Sequence, residues 1–62
     1  MNENQIKLFE GKYVRLSQYP NFVLEGRILE VEDGAFVFET TQATSLISIE
    51  NVKSIVELKR RH

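Results

Sequence analysis

Apolar and polar positions alternate with a period of two over most of this chain. In "YVRLSQ", residues 13–18, Val14 and Leu16 fall on one face against Arg15 and Ser17 on the other, the mark of a half-buried strand with Val14 and Leu16 inward. "YPNF", residues 19–22, reads as a turn: Pro20 restricts its own backbone and Asn21 tolerates turn geometry. "FVLEGRILEVE", residues 22–32, resumes the alternation, with Leu24, Gly26 and Ile28 on the core side and Glu25 and Arg27 outward. "EDG", residues 32–34, predicts a tight hairpin, because Asp-Gly suits the positive backbone angles such turns need. A third strand follows in "AFVFETT", where Phe36 and Phe38 alternate with Val37 and either set can face the core. "TTQAT" is a polar turn into "SLISI", a fourth strand with apolar residues on both faces. "ISIENVKSIVELK" reads as strand, a single 3₁₀ turn at "ENV", and strand again.

The start differs. "NENQIKLFEG" places Ile6, Leu8 and Phe9 near one another, with Asn2 or Asn4 available as a cap and Gly11 as a stop, which predicts a short helix over about residues 3–10. The order is then one helix and five strands, with Gly26 on the inward face of the longest strand. A missing side chain there lets the strand bend sharply and lets another backbone come close, as a very small barrel requires. The expected fold is mainly β: a five-stranded, strongly bent antiparallel small barrel with a short N-terminal helix and a 3₁₀ turn before the last strand.

Size changes the picture. A chain of 62 residues makes one domain and hides only about 60% of the surface its unfolded form exposes. It has no cysteine, and its one histidine is His62, so neither disulfides nor metal clusters are expected to reinforce it. Association with other copies is the expected source of further stability. No apolar run approaches membrane-spanning length and the first residues lack a secretory pattern, so a cytoplasmic location without membrane contact is expected. The net charge of −1 excludes the overall basic footprint of a general nucleic-acid binder, so any polyanion contact must be local.

The motifs "YVRLSQ", "YPNF", "LEGRI", "EVEDG", "AFVFE" and "ENVKSIVEL" together resemble the Sm-like family, the Sm and Lsm proteins and bacterial Hfq, from about residue 6 to residue 58. The family's glycine on a bent second strand corresponds to Gly26, its apolar neighbours to Leu24 and Ile28, and the acidic residue at the strand end to Glu32. The resemblance implies a barrel open between its fourth and fifth strands, assembling into a homo-oligomeric ring of about five to seven copies. Leu46, Ile47 and Ile49 on one edge, and Ile55, Val56 and Leu58 on the other, are the candidate interface residues. It also implies contact with single-stranded RNA. The family's base-binding asparagine and Arg-Gly pair, however, correspond to Phe36 and to Ser48-Ile49, and the Lys-His pair of Hfq to Ile49-Glu50.

RNA contacts must therefore lie elsewhere. Tyr19 and Phe22 flank a turn where aromatic rings can stack on bases, or else cap the end of the core. Arg27, with Arg15 on the adjacent strand, can meet phosphate or join Glu25 and Glu30 in a surface ion-pair ladder. Lys59, Arg60 and Arg61 form a basic tail that can reach phosphate or serve as a solvated end. The helix face bearing Asn2, Asn4, Gln5 and Lys7 is a further candidate surface.

Catalysis has little support: no internal histidine or cysteine is present, and adjacent Glu32 and Asp33 can bind a cation weakly but more often are ordinary turn chemistry. No metal or cofactor is expected. Two functions remain in view. One is a ring-forming RNA-binding or RNA-chaperone protein with non-standard contacts, and the other is an oligomeric structural or protein-interaction module of the same fold without RNA readout. A monomeric SH3-like barrel that binds a peptide is a third.

Overall fold

A computed structural model describes residues 2–59. The elements are α1 (Glu3–Lys7), β1 (Tyr13–Gln18), β2 (Phe22–Glu32), β3 (Ala35–Glu39), β4 (Thr44–Ser48), a 3₁₀ turn (Ile49–Asn51) and β5 (Val52–Glu57). All strand pairs are antiparallel, in the order β4-β3-β2-β1-β5. The strands make one curled sheet that does not close, because β4 and β5 are its two ends and do not pair.

Longest of the strands, β2 organises the sheet by serving two neighbours with its two halves. Phe22 to Arg27 pair with β1, while Arg27 to Glu32 pair with β3, so among the described residues of β2 only Arg27 has a strand partner on both sides. The register of the β2–β3 pair shifts between Ile28 and Val31, an irregularity that increases local twist. The turn between these strands takes positive backbone angles, φ 52° at Asp33 and 77° at Gly34, as Asp-Gly predicts.

At the crossing, Gly26 is buried, and a β-carbon built on it would collide with the backbone carbonyl of Glu39 and come within 3.1 Å of the Phe38 ring. The expected close approach of another backbone is thus present, and its source is the end of β3.

The core consists of Ile6, Val14, Leu16, Ile28, Val31, Phe36, Phe38, Ile47, Ile49 and Val52, with Phe9 and Ile55 packed against it. Phe36 and Phe38 settle the inward face of β3, edge-to-face with centroids 6.3 Å apart. Because residues from both end strands share this core, the curl buries one face of the sheet with no β4–β5 hydrogen bonds. The 3₁₀ turn bridges the gap. Ile49 N–H donates to the Gly34 carbonyl and Tyr19 N–H donates to the Asn51 carbonyl, both at 2.9 Å, tying this turn to the β2–β3 and β1–β2 turns.

The N-terminal helix is shorter than its sequence pattern predicts. Asn2 forms a capping box with Gln5, but the helix ends at Lys7, where Phe9 N–H bonds the Ile6 carbonyl and Glu10 N–H bonds the Lys7 carbonyl in tighter turns. Ile6 fills the core, whereas Leu8 points to solvent instead of joining Ile6 and Phe9. Gly11, at φ 81°, then redirects the chain. Other expected boundaries also move slightly. β3 ends at Glu39, short of the two threonines, and Ile49 begins the 3₁₀ turn instead of ending β4.

Candidate functional site

The two ends of the sheet carry apolar side chains on its outer face. On β4, Leu46 is 75% exposed opposite half-buried Val37, and on β5 Val56 lies outside, opposite Arg15. Of the remaining candidate interface residues, Ile47 and Ile49 lie in the core, while Ile55 and Leu58 are half-buried. The inward residues of these strands therefore complete the single-chain interior, and Leu46 and Val56 are the candidate residues that stay exposed.

The outer face is lined with charge. Arg15 reaches across to Glu25, its Nε donating to Oε2 at 3.0 Å and its Nη2 in ion-pair contact with the same oxygen at 2.9 Å, with both side chains about half exposed. This is the expected surface ladder, reduced to one pair. The next row runs Tyr13, Arg27, Glu39 and Thr44 across β1 to β4, and Tyr13, Arg27 and Glu39 join Thr40 and Thr41 around a shallow hollow. Arg27 is thus exposed and set between an aromatic ring position and a carboxylate position. A second hollow brings Glu30, Glu32 and Asp33 beside Val37 and Leu46, a surface that repels phosphate.

At the β1–β2 end, Tyr19 and Phe22 are exposed, as base stacking needs. They do not cap the core. Val23 and Leu24 are exposed beside them, and this is the clearest departure from the sequence pattern. Leu24 shares the core-side face with Gly26 and Ile28 yet is uncovered, because β3 stops opposite Arg27. Lys59 is exposed, whereas Arg60 and Arg61 lie outside the described residues. On the helix, Asn2 and Gln5 bond each other, and Lys7 pairs with Glu3 at 3.6 Å.

Phe36 is a core residue with no polar role. Ile49 is buried and Glu50 exposed. Two carboxylates that the sequence pattern did not single out have structural work. Glu10 accepts from Val31 N–H at 3.3 Å, and Glu3 accepts from Gly34 N–H at 3.0 Å. Among the described residues no cluster of histidine, aspartate or glutamate suits a metal ion, and no helix is long and apolar enough to cross a membrane. The chain matches no protein-family model, and neither a curated protein nor a solved structure matches it.

Proposed function

We propose that this chain is a self-assembling small-barrel module of the Sm-like kind, in which β4 of one copy pairs with β5 of the next, and that the assembly contacts single-stranded RNA. The observation that carries the reading is the open sheet: among the described residues the outer edges of its two end strands have no strand beside them, and these strands bear exposed Leu46 and Val56. Unpaired strand edges are templates for pairing, and a head-to-tail contact between two different edges closes into a ring when the rotation per copy allows it. RNA contact then falls to exposed Tyr19 and Phe22, with Arg27 and Lys59 supplying positive charge, because Phe36 and Ile49 are core residues and Glu50 is acidic.

Binding of fluorescent oligo-uridine and oligo-adenine across a salt series tests this, on protein whose mass is read by light scattering in the same sample. An oligomer whose affinity falls steadily with salt supports the whole reading. An oligomer that binds neither supports the second reading, assembly without RNA readout, which the acidic hollow of Glu30, Glu32 and Asp33 favours. A monomer overturns the assembly.

A further inference from the structure

Each half of β2 lacks a strand on one side, and the two gaps are treated differently. Past Arg27, on the side of β1, the gap is filled. Gly11 N–H donates to the Ile28 carbonyl at 2.6 Å, Ile28 N–H donates to the Lys12 carbonyl at 3.2 Å, and the Glu10 carboxylate takes Val31 N–H. Before Arg27, on the side of β3, no strand among the described residues pairs with Phe22 to Gly26. This stretch carries Phe22, Val23 and Leu24 at 62, 58 and 39% exposure. It has neither a lysine nor a proline within it, the residues that ordinarily blunt an edge.

The geometry points to this bare edge as a two-fold contact with the same edge of a second copy, centred on Val23. The directions of the backbone groups support it. Ile28 exchanges both its hydrogen bonds with the Gly11–Lys12 segment, on the β1 side, so alternation along the strand turns the amides and carbonyls of Val23 and Glu25 toward the open side. Antiparallel pairing about Val23 then sets Val23 against Val23 of the second copy with two reciprocal hydrogen bonds. It sets Phe22 against Leu24 and Leu24 against Phe22 on the core-side face, so every side-chain pair near the axis is apolar, and it covers the Phe22 ring, so this contact and base stacking on Phe22 exclude each other.

Charge and length agree. A two-fold contact brings each charge near its own copy, and the one charge in the segment, Glu25, is already held by Arg15 at 2.9 Å. The second strand runs only to its own Asn21 before its turn carries the chain away, so it stops short of Glu39, which occupies this edge from Arg27 onward. The contact is separate from the β4–β5 edges and does not depend on them.

The chain has no cysteine, so Val23→Cys introduces a single thiol. In a directly paired position the two α-carbons lie about 5.5 Å apart, within the disulfide range. Mild oxidation of V23C is expected to give a covalent dimer in near-full yield, while T41C, in the polar β3–β4 turn, stays mostly unlinked. V23K is expected to halve the mass of the wild-type particle. Mixing V23K with V23E is expected to restore that mass, which a merely unfolded variant does not do. If the wild-type particle is a pair of rings joined through Val23, halving leaves one ring; if it is a dimer, halving leaves a monomer, and both support the contact. A wild-type mass unchanged by V23K, or V23C no more cross-linked than T41C, overturns it.

Discussion

The carbonyl oxygen of Glu39 occupies the space that a β-carbon on Gly26 would need. Since that obstacle is backbone at the end of a paired strand, it cannot rotate aside as a flexible side chain does. Gly26→Ala is expected to cost about 3 kcal/mol of stability, the upper end for forced overpacking. Urea denaturation checks this, and a loss below about 1 kcal/mol would show that β3 yields freely.

The helix acts mainly through one side chain. Ile6 is fully buried, so Ile6→Ala removes apolar contact and leaves a cavity, with an expected loss of about 3 kcal/mol. Asn2→Ala removes only a cap and is expected to cost about 1 kcal/mol. Thermal melts of the two variants should separate in that order.

The strand-edge reading predicts that Leu46→Glu and Val56→Glu lower the oligomeric mass and leave the fold intact. Both side chains lie outside the core, so monomer stability should change by less than about 0.5 kcal/mol. Light scattering with circular dichroism on the same sample decides the point; unchanged mass in both variants rules out these edges as the interface.

If RNA stacks at the β1–β2 turn, Tyr19→Ala and Phe22→Ala weaken oligonucleotide binding at all salt concentrations, by about tenfold for each stacked base, with an unchanged salt slope. Lys59→Ala should instead reduce that slope by about one without a sequence preference. Fluorescence anisotropy over a salt series distinguishes these effects, and wild-type affinity in all three variants would remove these residues from the contact.

Much of this fold is legible in single stretches. Alternation marks β1 and the core half of β2, and Asp33-Gly34 marks a hairpin whose angles are those observed. Gly26 on an inward face signals close backbone approach before the neighbour is known. Leu24 shows the limit. Its face is set by its own strand, but its burial depends on where β3 ends, and nothing local to residues 22–32 encodes the length of a partner. Ile47 and Leu46 pose the same problem at the other end: two adjacent apolar residues, one inward and one outward, assigned only by pairing with Phe36 and Val37. Glu3 and Glu10 were hidden for another reason. A carboxylate bonding an amide far along the chain leaves no periodic trace. The candidate RNA residues are legible as surface side chains and no further, because exposed aromatics and scattered arginines carry no spacing of their own.

That long reach sets an order on folding. The helix has five residues, too few to persist alone in water, and its anchors are the Ile6 contact with the core and the Glu3 bond to Gly34, 31 positions downstream. As the chain is synthesised, its first element emerges early and settles late, once the β2–β3 turn has formed. A probe attached near Asn2 is therefore a reporter of β2–β3 hairpin closure, although the turn it reports lies 31 positions beyond Glu3.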